Sequence, residues 1–114
     1  MAATKNFKID QDSTFSFEVE YLNDDDTPVQ LLNYTAKMQV RNEKGGKNLA
    51  FTLTETDGIT IAPTLGKLTV SISNTRTNKL FYPQSVYDLV IVDPSQNKTR
   101  LLEGYLILNR AVTV

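Results

Sequence analysis

Apolar and polar residues alternate with a period of two along most of this chain. In residues 14–21, Phe15, Phe17, Val19 and Tyr21 fall on one side, and Thr14, Ser16, Glu18 and Glu20 on the other. Successive side chains of a strand point to opposite faces, so this pattern predicts a strand with one face buried. Residues 34–41 repeat it, with Tyr34, Ala36, Met38 and Val40 inward and Thr35, Lys37, Gln39 and Arg41 outward. Residues 67–73 do so again through Leu68, Val70 and Ile72. Shorter alternations predict strands around Phe7 and Ile9, around Leu49, Phe51 and Leu53, and around Ile59 and Ile61. Turn residues separate them at 23–28, 44–47 (with Gly45 and Gly46), Asp57 and Gly58, 63–66 and 94–97. One short helical turn is predicted near residues 74–80, capped by Ser73 or Asn74 and stopped by Pro83. About seven or eight short strands at this spacing predict an all-β sandwich or barrel. Residues 1–4 read as a loose tail, and residues 5–114 as a single domain.

The last third breaks the alternation. Residues 86–92 (VYDLVIV) are apolar on both faces apart from Asp88, and residues 101–108 (LLEGYLIL) are likewise apolar apart from Glu103 and Gly104. A strand apolar on both faces is covered on both faces, whereas a two-layer sandwich covers one. Two explanations are open. A bulge at Glu103 and Gly104 would switch which residues face the core, with the helical turn lying on the sheet. Alternatively, a partner subunit packs there, and two neighbouring strands sharing the feature tilts the reading that way. The candidate interface residues are Phe81, Tyr82, Val86, Val90, Val92, Leu101, Tyr105 and Ile107. Aromatic residues are enriched at the buried centres of interfaces.

Composition narrows the function. The 114 residues carry 12 Lys and Arg against 13 Asp and Glu, a net charge of −1. That balance argues against nucleic-acid binding, which depends on clustered cations, and against a polybasic membrane anchor. Weak charge repulsion leaves self-association easy. There is no Cys and no His, so no disulfide and no thiolate or imidazole metal site is expected. The N-terminal MAATKNFKID has no apolar stretch resembling a signal peptide, and no run is long enough to span a bilayer. The expectation is a chain made and folded in a reducing cytoplasm.

Candidate chemistry is sparse. Nucleophilic catalysis needs a nucleophile beside a base, and the serines at 13, 16, 71 and 73 read as solvated positions. Asp88 and Glu103, in neighbouring apolar strands, form a carboxylate pair that could serve glycoside chemistry, but the preferred reading is structural: such residues mark strand edges or bulges, or pair with Arg100 or Arg110. Asp24, Asp25 and Asp26 lack the spacing of a calcium loop and read as a solvated hairpin tip. Tyr21 and Tyr34 occupy core-facing positions, and no phosphate loop follows Gly45 and Gly46. No enzyme, cofactor or metal is predicted.

The order of several stretches resembles the immunoglobulin-like N-terminal domain of tailed-bacteriophage baseplate upper proteins and tail-fibre adaptors. These are FKI at 7–9 with Thr14 and Phe15, PVQLLNYTAKM at 28–38 leading to Arg41, and DGI at 57–59. GKL at 66–68, YDL at 87–89 and LLEG at 101–104 through Val112 and Thr113 complete them. The resemblance implies an immunoglobulin-like antiparallel sandwich and a structural role in a virion. It departs in the loop before Pro28, which lacks a glycine, and in ending at Val114 where related proteins often continue into a fibre. It therefore implies a free-standing neck, tail, baseplate or capsid-decoration component. Its partners would be itself or other virion proteins, as a homo-oligomer or ring when assembled. A carbohydrate- or receptor-binding module at a tail tip is the alternative, but it calls for aromatic residues at the loop tips, where this chain has Asp, Asn, Thr and Gly.

Overall fold

The computed structural model describes residues 3–41, 49–80 and 83–109. Among these residues nine strands form two sheets. The larger sheet contains β1 (Ala3–Thr4), β2 (Phe7–Asp10), β4 (Thr35–Arg41), β5 (Leu49–Thr54), β8 (Gln84–Val92) and β9 (Lys98–Asn109). The smaller contains β3 (Phe15–Glu20), β6 (Ile59–Ala62) and β7 (Lys67–Ile72). Their orders are β2-β9-β8-β4-β5 and β3-β7-β6, with β1 also lying along β9. This is an immunoglobulin-like sandwich: β4, β8 and β9 take the places of strands C, F and G, and β5 that of the added C′ strand. β3, β7 and β6 take those of B, E and D. The turn expected at Gly45 and Gly46 lies outside the described residues.

Two expectations need correction. The sandwich is not wholly antiparallel, because β1 and β2 both run parallel to β9. Nor is the start of the chain loose throughout: Ala3 pairs with Leu102 and Thr4 with Glu103, and the Lys5 N–H donates to the Glu103 carbonyl at 2.9 Å. Backbone hydrogen bonds hold this segment, so no apolar pattern announces it. By lying along β9 it also covers an edge that would otherwise present unpaired N–H and C=O groups.

The inward positions of both sheets meet in one core. Met38 and Val40 from β4, Leu53 from β5, Leu68, Val70 and Ile72 from β7, Leu89 from β8 and Leu106 from β9 are almost wholly buried. With no cysteine, apolar packing between the sheets carries the cohesion. Phe7 stacks on Phe17 with ring centroids 4.4 Å apart and meets Phe15 edge-on at 5.5 Å. The core-facing residues of β3, namely Phe15, Phe17 and Val19, are only half-buried although they pack against the core.

The predicted helical turn is α1 (Asn74–Thr77), one turn long and shorter than its sequence pattern. Ser73 precedes it, but its hydroxyl pairs with the Thr75 hydroxyl at 2.9 Å instead of capping a backbone N–H. Thr77 is fully buried, and its hydroxyl donates to the Ser13 carbonyl at 2.9 Å. Leu80, just beyond, enters the core. The turn is therefore pinned to the segment just before β3.

Candidate contact surface

β8 and β9 are joined by a hairpin whose tip is organised by Asp93. Its carboxylate accepts the N–H groups of Ser95 at 2.9 Å and Asn97 at 2.8 Å, and the Asn97 side-chain amide at 3.2 Å. These bonds, the Asn97 backbone N–H first, hold the Asp93 carboxyl below the usual carboxylate range. The tip sets the register of the two strands, and the register sets which side chains share a face.

Along β8, Ser85, Tyr87, Leu89 and Ile91 are buried. Val86, Asp88, Val90 and Val92 therefore point to the opposite, outer face, where each is half-buried. Opposite them on β9 stand Tyr105, Glu103, Arg100 and Lys98 in turn, and Gln84 stands opposite Ile107. On the other side, β4 places Arg41, Gln39, Lys37 and Thr35 beside the same four β8 residues. The outer face thus has an apolar end built by Val86, Tyr105 and Ile107, and a second apolar stretch at Val90 and Val92. Tyr105 and Ile107 retain 42% and 40% of their surface in contact with solvent.

Between the two stretches lies an ion trio. The Arg100 guanidinium reaches Asp88 at 3.4 Å and Glu103 at 3.3 Å. Asp88 and Glu103 are directly paired across the strands, and one cation serves both. Pairing with Arg100 is thus the arrangement the fold gives these carboxylates. Elsewhere, Asp25 is engaged by its own turn, accepting the hydroxyl and N–H of Thr27 at 2.6 and 3.2 Å. Those bonds, the hydroxyl first, lower its carboxyl from the usual value. Among the described residues, no three His, Cys, Asp or Glu side chains gather as a metal-binding group.

The candidate interface residues are therefore only partly brought together. Val86, Val90, Val92, Tyr105 and Ile107 share the outer face. Phe81 and Tyr82 lie outside the described residues. Leu101 is a correction: it packs against the core instead of joining the outer face. The register shifts at Leu89 and Val90, which pair with Leu102 and Arg100 and leave Leu101 as the extra residue on β9. The bulge expected at Glu103 and Gly104 thus lies at Leu101 instead, for Glu103 and Gly104 keep an unbroken register with Asp88 and Tyr87.

Gly104 has a different reason. A Cβ there would collide with the Lys5 backbone, whose carbonyl carbon would stand 2.8 Å away, and with Asn6 Oδ1 at 2.9 Å. The Lys5 carbonyl turns over this glycine to accept the buried Tyr87 hydroxyl at 2.6 Å. Asn6 Oδ1 replaces the lost ladder acceptor by taking the Tyr105 N–H at 2.9 Å.

The outer face of the small sheet differs in kind. Ser16 pairs with Ser71, Glu18 with Thr69 and Glu20 with Lys67, while Thr60 stands beside Thr69. The Ser16 and Ser71 hydroxyls are 3.3 Å apart, and Lys67 reaches Glu18 at 3.5 Å. One outer face is hydroxylic and charged, whereas the other leaves an aromatic and several aliphatic side chains against water. Neither models of known protein families nor curated proteins give a match to this chain.

Proposed function

We propose that this chain is a non-enzymatic structural component of a tailed-phage virion, in the tail, baseplate, neck or capsid decoration. It acts through protein–protein contacts made by the outer face of its large sheet. The virion assignment draws on the order of sequence motifs described above. The contact assignment draws on a single observation: the two outer faces of one sandwich differ, and the apolar residues collect on one of them. Scattered apolar residues on a surface are normal, but a one-sided collection centred on an exposed tyrosine and isoleucine has the makings of an interface. Completing the burial of each half-exposed side chain contributes on the order of 1 kcal/mol. The ion trio at the centre of the face adds alignment more than affinity, since a misplaced partner would leave its charges unmatched. A subunit using such a face against its own copies closes most simply into a ring.

Introducing charge into the apolar end tests this. The chain carrying Tyr105→Glu and Ile107→Lys should keep its circular dichroism spectrum and fall by about tenfold or more in the particles of the phage that encodes it. A Ser71→Glu variant, charged on the small sheet instead, should be incorporated like the parent chain. Incorporation of the double variant at the parent level would contradict the proposal.

A further inference from the structure

The outer edge of β3 stands apart from the other edges of the sandwich. In this architecture a strand ordinarily lies beside β3, in the place of strand A. Here the N-terminal strands β1 and β2 are committed to β9 on the other sheet, and among the described residues β3 pairs only with β7. The Tyr21 N–H donates to the Gly66 carbonyl, on the side of β7, at 2.7 Å. Alternation along an antiparallel strand then turns the N–H and C=O groups of Ser16, Glu18 and Glu20 toward the open side.

The remaining edges are blunted. The β4–β5 register shifts at Val40 and Arg41, and the Thr54 N–H and C=O groups are both taken by Asp57 at 2.9 Å. β6 has four residues and runs directly into a turn beginning at Pro63. β2 is also four residues long. β3 has six residues in unbroken register, with no Pro, Gly or Lys among them. Native proteins usually protect such an edge.

Side chains point to the same place. Phe15, Phe17 and Val19 face the core yet stay half-buried, so the gap between the sheets is incompletely closed on the β3 side. On the solvent face Ser16, Glu18 and Glu20 are exposed. Glu18 has Lys67 at 3.5 Å, whereas Glu20 forms no ion pair among the described residues.

We propose that the β3 edge is a strand-docking site for an extended segment of another polypeptide in which apolar residues alternate with Lys or Arg. Its backbone would satisfy the open groups of Ser16, Glu18 and Glu20. Its apolar side chains would close over Phe15, Phe17 and Val19, and its cations would stand beside Glu18 and Glu20. This surface is separate from the outer face of the large sheet, and the inference does not rest on the virion reading.

The test uses the whole chain, isotope-labelled, with a synthetic peptide of alternating valine and lysine as probe and one of alternating valine and glutamate as control. Amide hydrogen exchange is read residue by residue. With the lysine peptide at about ten times its dissociation constant, exchange at Ser16, Glu18 and Glu20 should slow about tenfold. Phe17 and Val19, already bonded to β7, should change little, and the glutamate peptide should have no effect. Glu18→Lys with Glu20→Lys should abolish the protection. Because proline is tolerated where a strand N–H faces solvent, Glu18→Pro gives a second block that leaves the charge of Glu20 in place. Unchanged exchange at the three amides, equal protection by both peptides, or protection that survives both variants would overturn the proposal. Protection rising with protein concentration alone would place a second copy there and overturn it equally.

Discussion

Tyr87 and Gly104 are directly paired across β8 and β9, and both answer to Lys5 at the far end of the chain. The glycine leaves room for the Lys5 carbonyl, and the tyrosine hydroxyl donates to it. Removing that hydroxyl by Tyr87→Phe leaves the ring in place and the carbonyl without its donor, a loss of about 1 kcal/mol in urea unfolding. Burial also raises the phenol's pKa above its ordinary value of about 10. As pH rises past that value the unfolded chain gives up the Tyr87 proton first, so unfolding becomes easier. The stabilising contribution is intact below about pH 10 and drains away above it. Urea midpoints should therefore fall more steeply for the parent than for Tyr87→Phe as pH is raised beyond 10, and parallel curves would contradict this assignment. The sequence flags Gly104 as anomalous inside a strand. It does not reveal the cause, because the group that needs the space belongs to Lys5, distant in the chain and marked by no pattern.

At the scale of elements, alternation was legible wherever one face of a strand is buried and the other wet. The inward sets of β3, β4 and β7 are the ones the pattern gives, because a one-residue slip would turn each set to the solvent side. Leu101 was not legible. Its fate depends on a register shift between two strands that are each apolar on both faces, so either phase satisfies the sequence pattern. The helical turn was legible in place but not in length, for its anchor is tertiary: the buried Thr77 hydroxyl binds the Ser13 carbonyl and also reaches the Asn74 carbonyl at 3.2 Å. Thr77→Val keeps the shape and removes that donor. It should cost about 1–2 kcal/mol in thermal or urea unfolding, whereas a loss within about 0.3 kcal/mol of zero would show that the hydroxyl does not pin the turn.

For the whole molecule, the sandwich class followed from the number and spacing of strands, while the parallel docking of β1 and β2 on β9 did not: Phe7 and Ile9 mark β2 as a strand without marking its partner, and β1 is exposed and paired through its backbone. The surplus of apolar residues in the last two strands is divided by the fold. Tyr87, Leu89, Ile91, Leu102 and Leu106 enter the core, and Leu101 is drawn against it by the bulge. Val86, Val90, Val92, Tyr105 and Ile107 are left on an outer face interrupted by the Arg100 ion trio. The resulting polarity of the molecule, hydroxylic on one broad side and greasier on the other, is what the assembly proposal depends on. An electron cryomicroscopy reconstruction of the intact particle tests it most directly. Density for this sandwich should show Tyr105 and Ile107 buried against a neighbouring subunit and Ser16, Thr69 and Ser71 facing solvent; a particle without that density, or with the large sheet's outer face open to water, would contradict the proposal.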